Sequence, residues 1–291
     1  MDNYFVSSCK RVKDWICRQF GQKEKKTVHH KNFADGGEVI VWETGRAGEE
    51  AASYENLFLR KEIAGFRTNI RREQSCSIKS LTRDYLYEQL LNSGEYTFDH
   101  MLVIKDPYGE APLTALALFI LEEPARVRVT TKGNLKETDF VTELPKKKEH
   151  RVPILGMYAE KANDIVIEIL DDEGNCVKSH TFTIRTKRLP KSLRNVITVK
   201  KWTDKPAYSN IMINGGVKIH TCVFDIEGKI RYYLSRKPRG YGIFPLSDGH
   251  FFYMEKYISV PSYSNPQTVE SYDMDYFGRV FRTYLTEKGV H

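Results

Sequence analysis

One turn pattern occurs twice in the C-terminal third of the chain and constrains the fold more than any other feature. In residues 223–233, and again in residues 272–284, an Asp-x-x-Gly turn is followed by a cation and a β-branched residue. Asp225 and Asp275 therefore lie 50 residues apart. Short strands that repeat at such a period are typical of β-propeller blades. About two blades of this length fit before His291, so we expect an incomplete propeller.

The composition indicates a globular protein that does not bind nucleic acid. The chain has 291 residues, 41% hydrophobic and 29% charged, which is enough for about two or three domains with cores. The net charge of +7 comes from 45 basic residues interspersed with 38 acidic ones, and the sequence has no basic helix or RNA-binding signature. The five cysteines are scattered without a C-x-x-C pair. We therefore expect reduced thiols, no metal site and no cofactor.

The sequence predicts neither a membrane-spanning segment nor a signal peptide. It contains no run of about eighteen apolar residues. Near the N-terminus, Lys10, Arg11 and Lys13 interrupt the apolar positions that a signal peptide would need. We therefore expect a cytoplasmic protein without a membrane partner.

Hydrophobic periodicity predicts a mainly β chain with three domains. Residues 1–95 are predicted to form a helical N-terminal region, with one helix over residues 3–20 and another for which Ser80 is the N-cap. Residues 96–188 contain short strands separated by turns, which predicts an immunoglobulin-like β-sandwich. Residues 205–291 are predicted to form the partial β-propeller of about two blades.

Three segments of the predicted sandwich carry recognisable motifs. Residues 106–116 read Asp-Pro-Tyr-Gly-Glu-Ala-Pro-Leu-Thr-Ala-Leu, residues 150–158 read His-Arg-Val-Pro-Ile-Leu-Gly-Met-Tyr, and residues 165–175 end in Asp-Glu-Gly-Asn. In this order they resemble the N-terminal β-domain of bacterial aryl-sulfate sulfotransferases. The Asp-x-x-Gly hairpins resemble the opening of that family's propeller. The resemblance implies an immunoglobulin-like domain before a six-bladed propeller, often in a homodimer.

The resemblance also implies an activity, which is sulfuryl transfer from a phenolic sulfate ester to a phenol without the nucleotide donor PAPS. A neutral histidine attacks the sulfur, the phenolate leaves, and the acceptor phenol then attacks the sulfated histidine. The implied partners are the ester donor and the phenol acceptor, and no cofactor is implied. Family members are often periplasmic or secreted, which contrasts with the cytoplasmic location expected from the N-terminus.

One candidate catalytic residue follows from the resemblance. Residues 288–291 read Lys-Gly-Val-His and are similar to the start of a Gly-x-His-His-Asp segment of the family. His291 is thus a candidate pocket histidine, and a terminal residue without a role is the alternative. The family's nucleophilic histidine and arginine belong to later blades, so we expect this chain alone to be inactive. The chain is then an aryl-sulfate sulfotransferase or a truncated member, or else a non-catalytic β-domain that serves as a binding or assembly module.

Overall fold

The computed structural model describes residues 28–34, 36–43, 74–200, 210–213, 220–236, 240–257 and 268–285, and these are mainly β, as the sequence predicts. The first sheet has seven strands: β1 (Val28–Asn32), β2 (Glu38–Trp42), β3 (His100–Lys105), β4 (Ala115–Thr131), β5 (Phe140–Ile154), β6 (Ala162–Leu170) and β7 (Cys176–Arg185). The second has β8 (Asn210–Ile213), β9 (Cys222–Asp225) and β10 (Ile230–Tyr233). The third has β11 (Gly240–Pro245), β12 (Phe251–Tyr257), β13 (Thr268–Met274) and β14 (Val280–Leu285). The described residues also contain one α-helix, α1 (Gln74–Asn92).

The first sheet curls until its two edges meet, in place of the two separate sheets expected for a sandwich. Its strand order is β1-β2-β3-β4-β6-β7, with β5 paired along β4. Strand β4 is 17 residues long and pairs with β3 in its first half and with β6 in its second half. Register shifts between Ile120 and Val127 interrupt its pairing with β5. Such irregularities bend strands, and Phe33 after β1 consequently contacts Phe182 of β7, with 5.9 Å between ring centroids.

Strand β3 and the first part of β4 are buried on both faces because different layers cover them. Met101 and Val103 face the interior of the curled sheet, whereas Leu102 and Ile104 face helix α1. This explains the continuous apolar run of β3, since a strand covered on both sides does not alternate between apolar and polar residues. Helix α1 contributes Leu86 and other buried residues to the outer core.

The predicted helical region 1–95 contains a β-hairpin that the sequence reasoning missed. Strands β1 and β2 pair antiparallel, and β2 then pairs parallel with β3. Strand β2 is rich in β-branched residues, and Val39, Val41 and Trp42 are buried. Gly37 makes the turn possible, because a Cβ there would lie 2.4 Å from the Asp99 carbonyl oxygen. The partner strand β3 is distant in sequence, so local periodicity gave no sign of this pairing.

Helix α1 begins earlier than predicted, and Ser80 is not its N-cap. The helix runs from Gln74, so Ser80 lies inside it. The Ser80 hydroxyl instead accepts the backbone N–H of Val280 at 2.9 Å, which joins the helix to β14. The polar residue that looked like a cap is therefore a tertiary contact. The other predicted helix, over residues 3–20, lies outside the described residues.

Both Asp-x-x-Gly hairpins are present. The first joins β9 to β10 and the second joins β13 to β14. Each belongs to a small antiparallel sheet, of three and four strands respectively. The number of propeller blades and the domain limits 96–188 and 205–291 stay predictions. No helix in the described parts of the chain has the length and apolar character needed to cross a membrane.

Candidate functional site

Each Asp-x-x-Gly turn is held closed by its own aspartate. The Asp225 Oδ1 atom accepts two backbone N–H groups of its turn, both at 3.0 Å. The Asp275 Oδ1 atom accepts the two equivalent groups at 2.8 and 3.1 Å. Gly228 and Gly278 follow at φ of 75° and 77°, a backbone conformation that glycine adopts without strain. The structure of the turn itself therefore accounts for the Asp and the Gly of the repeated pattern.

Arg231 joins the first hairpin to the curled sheet. It lies on β10, is 1% exposed, and donates from Nε to the Gly156 carbonyl at 2.6 Å. Its Nη1 atom donates to the Thr138 carbonyl at 2.8 Å and to the Tyr158 hydroxyl at 3.0 Å. The Asp225 Oδ2 atom lies 3.4 Å from Nη1 and balances the charge. A buried guanidinium is tolerated only with such hydrogen bonds and a counter-charge.

Tyr158 completes this buried cluster from the other side. Its hydroxyl donates to Asp225 Oδ2 at 2.8 Å and accepts the backbone N–H of Asn134 at 3.1 Å. The Arg231 guanidinium carbon lies 4.0 Å from the centroid of its ring, a cation–π contact. Burial raises the pKa of Tyr158, so the hydroxyl remains a hydrogen-bond donor at neutral pH.

The loop between β3 and β4, residues 106–114, forms a second contact with both hairpins; we call it the junction loop. The Glu110 carbonyl accepts the backbone N–H of Ser235 at 2.8 Å. The Glu110 carboxylate lies 3.3 Å from Nη2 of Arg236. Gly278 of the second hairpin packs so closely that a Cβ on it would lie 2.3 Å from the Glu110 Cβ. The first of the three recognised motifs is thus the segment that contacts both the residues after β10 and the turn of the second hairpin.

Helix α1 fixes the second hairpin. Oδ2 of Asp84 accepts both Nε and Nη2 of Arg279, at 2.9 and 2.7 Å, in a charge-assisted ion pair. The second Asp84 oxygen accepts the Tyr108 hydroxyl of the junction loop at 2.5 Å. The Tyr87 hydroxyl donates to the carbonyl of Pro107. Helix, junction loop and hairpin are therefore linked through adjacent polar contacts.

We call the contacts that link helix α1, the junction loop and residues 138–158 to the two hairpins the junction. Three of its carboxyl groups are costly to ionise. Burial raises the pKa of Asp106 and of Glu110, although the Arg236 charge acts in the opposite direction on Glu110. Burial also raises the pKa of Asp275 to about 6, although the backbone N–H groups of its turn lower it. Desolvation of the charged form outweighs the hydrogen bonds in each case. The junction is therefore sensitive to charge changes at these positions.

The histidines of the described residues do not form a common site. Each of the five whose side chains are described has a different partner: His100 with Glu38, His150 with the Lys147 carbonyl, His180 with Asp99, His220 with the Arg236 carbonyl, and His250 with Asp273. Among the residues described, no group of three His, Cys, Asp or Glu side chains is placed to hold a metal ion. His291, the candidate pocket histidine, lies outside the described residues.

Sequence reasoning missed the residues that form the junction. It gave Arg231 no role, and Tyr158 and Glu110 entered only as letters of the recognised motifs. One signal was available, because Arg231 stands in the otherwise apolar and aromatic strand Ile-Arg-Tyr-Tyr. A lone arginine in a short buried strand requires a counter-charge, and Asp225 on the same hairpin supplies it.

Comparison with known proteins agrees with the motif resemblance. Residues 102–187 match the family model of the arylsulfotransferase Ig-like domain. The match spans β4 to β7 entirely, most of β3, and the junction loop. No curated protein matches the chain. Residues 102–187 of this chain are therefore similar to the arylsulfotransferase Ig-like domain.

Proposed function

We propose that this chain is an aryl-sulfate sulfotransferase or a truncated member of that family, whose reaction moves a sulfuryl group from a phenolic sulfate ester to a phenol through a sulfated histidine. The family match over residues 102–187 carries this proposal. The junction supports it, because the matched domain holds the Asp-x-x-Gly hairpins through its own motif residues. His291 is the candidate pocket histidine.

In this proposal the described residues form the platform on which the hairpins assemble. Arg231 and Asp225 are 1% and 0% exposed, and the groups of residues 138–158 accept most of the Arg231 hydrogen bonds. An isolated β9–β10 hairpin would lack the Thr138, Gly156 and Tyr158 acceptors for that guanidinium. The Ig-like domain therefore supplies contacts that the hairpin cannot supply for itself.

The proposed reaction has two displacement steps at sulfur. A neutral imidazole nitrogen forms a bond to sulfur while the bond from sulfur to the phenolic oxygen breaks, and the phenolate leaves. The acceptor phenol oxygen then attacks the same sulfur, the bond from sulfur to nitrogen breaks, and the imidazole is restored. The phenol proton passes to a general base, and a pocket histidine such as His291 suits that role.

A non-catalytic binding or assembly module is the second candidate. One observation favours it: the five described histidines have separate partners, so that part of the chain provides a platform without a convergent histidine pocket. Its function would then be to hold the hairpins for association with other β-structure.

A chromogenic assay distinguishes the two candidates. The full chain is incubated with 4-nitrophenyl sulfate, with and without a second phenol, and nitrophenolate release is followed. An active sulfotransferase would release nitrophenolate in a phenol-dependent way, and His291→Ala would then slow turnover by about 10²-fold or more. A truncated member would show no release, which is the result that we expect for this chain alone. His250→Ala is the matched control, because His250 contacts Asp273 and is not assigned to the pocket. Phenol-dependent release by the full chain would contradict the expected inactivity, whereas a folded chain without turnover would favour a truncated member that serves as the module.

A further inference from the structure

The curled first sheet has a seam where its edge strands face each other. In the described residues, β1 pairs with β2 and β7 pairs with β6, without a backbone ladder between β1 and β7. One end of the seam is filled by aromatic stacking of Phe33 on His180, with ring centroids 3.9 Å apart. At this end of the seam, Oδ1 of Asp99 lies 2.7 Å from Nε2 of His180 and forms a hydrogen bond with it.

The other end of the seam opens into a cavity of about 410 Å³. Four of its lining residues are cations, Lys31, Lys105, Arg185 and Lys187, and one is a carboxylate, Glu43. Lys31 belongs to β1, Lys105 is at the end of β3, and Arg185 and Lys187 are the last residue of β7 and a residue just after it, so three separate parts of the sheet bring positive charge to one place. Lys105 lies 2.8 Å from Glu43, which leaves the cavity with a net positive charge.

The surroundings of Lys31 show that the cations influence one another. The Lys31 ammonium donates to the carbonyl of Thr183 across the seam. Burial lowers the pKa of Lys31, and the charges of Lys105 and Arg185 lower it further. Since like charges at this spacing repel each other, a bound anion would relieve an existing repulsion.

Backbone donors face the same cavity. The Thr183 carbonyl points into the seam, because it accepts Lys31. In an antiparallel strand the N–H and C=O of one residue point to the same side, so the Thr183 N–H also faces the seam. The cavity therefore combines an arginine, several ammonium groups and an edge-strand N–H, which are the donors that oxyanions prefer.

We propose that this seam cavity binds the oxyanion head of a sulfate or phosphate monoester. The volume is within the range of sites for small organic ligands, so an ester with its organic group fits better than a bare ion. Arg185 lines the cavity, and its planar guanidinium can donate to two oxygens of the head. The residues that line this cavity are not those of the junction, and the experiment that tests the site measures binding and not turnover.

Calorimetric titration of the full chain tests the proposal with four probes: phenyl phosphate, phenyl sulfate, inorganic phosphate and inorganic sulfate. We expect saturable binding of at least one ester, tighter than the corresponding inorganic ion. Loss of a charge-assisted hydrogen bond corresponds to about a tenfold change in affinity. Arg185→Gln with Lys187→Gln should therefore weaken binding by at least about tenfold, and Arg185→Lys should weaken it less, because the charge remains while the planar fork is lost.

A matched control separates a built site from general basicity. Lys147→Gln with Lys148→Gln removes the same number of charges from another surface cavity, lined by residues of β5, and should leave the affinity unchanged. Circular dichroism checks that all variants fold. Equal loss of affinity in the two double variants would overturn the proposal, as would the absence of saturable ester binding by the unaltered chain. Equal affinity for an ester and its inorganic ion would overturn the assignment of an ester.

Discussion

The same substitution at the two equivalent turn positions is expected to change stability in opposite directions. Asp225 and Asp275 each close an Asp-x-x-Gly turn through Oδ1, and asparagine retains that acceptor oxygen. Their surroundings differ, however. Asp225 faces Arg231 and the Tyr158 hydroxyl, whereas the ionised form of Asp275 is disfavoured by burial.

The expected gain for Asp275→Asn follows from the pKa. Burial raises the pKa of Asp275 from 3.8 to about 6, and each pKa unit corresponds to about 1.4 kcal/mol. A difference of about two units means that the buried carboxylate costs up to about 3 kcal/mol at neutral pH. Asp275→Asn should therefore raise the free energy of unfolding at pH 7.5 by an amount up to that limit.

The pH dependence has a definite sign. The folded-state pKa of Asp275 lies above the unfolded value, so the folded state holds the proton more tightly. Its contribution to stability is complete below pH 3.8 and is lost as the pH rises to about 6. The gain from Asp275→Asn should accordingly be small at pH 4 and reach its full value above pH 6.

Asp225→Asn should have the opposite effect. It removes the counter-charge of Arg231, whose side chain is 2% exposed, while the guanidinium stays buried. Breaking a buried pair by removing one partner costs about 3–5 kcal/mol. The free energy of unfolding should fall by about that amount at pH 7.5.

Urea unfolding followed by circular dichroism measures both effects, with transitions recorded at pH 4, 5, 6 and 7.5. The unaltered chain is the reference at each pH. If both variants shifted the urea midpoint in the same direction at pH 7.5, the reasoning would be refuted. So would a change for Asp275→Asn that is the same at pH 4 and pH 7.5, because burial of the charge would then not be its cause.

Two further substitutions test the contacts of the junction. Gly156→Ala should lower the free energy of unfolding by about 1–3 kcal/mol. Gly156 has a φ of 74°, and a Cβ there would lie 2.9 Å from the Phe140 Cβ. A thermal midpoint equal to that of the unaltered chain would contradict this expectation. Asp84→Ala removes the acceptor of Arg279 and the acceptor of the Tyr108 hydroxyl. Strand β14 should therefore lose amide protection in hydrogen exchange while β6 keeps it. Equal loss in both strands would show that helix α1 does not fix the second hairpin.

Much of the β structure could be predicted because it depends on local signals. The Asp-x-x-Gly hairpins follow from a turn that the hydrogen bonds of one aspartate and the left-handed conformation of one glycine determine within a few residues. The motifs within residues 102–187 likewise indicate an Ig-like domain, which the family match confirms. In contrast, β1 and β2 were missed, because their burial depends on a parallel partner distant in sequence.

The junction could not be predicted because its contacts join residues far apart in the chain. Arg231 meets Thr138 and Gly156, and Ser80 meets Val280 across 200 positions. In the sequence, Ser80 has the features of a helix cap. The lone Arg231 of its strand indicates a buried counter-charge but not which distant carbonyl groups accept its hydrogen bonds.

By itself the sequence determined the mainly β character, the two closed turns and the kinship of residues 102–187 with arylsulfotransferases. The tertiary structure alone decided that the first sheet curls onto itself, that Arg231 and Asp225 form a buried pair under Tyr158, and that four cations line one seam cavity. The physical reason is the distance in sequence between the residues that interact. Turns and strand preferences depend on neighbouring residues, whereas burial and charge pairing depend on which distant segments the folded chain brings together.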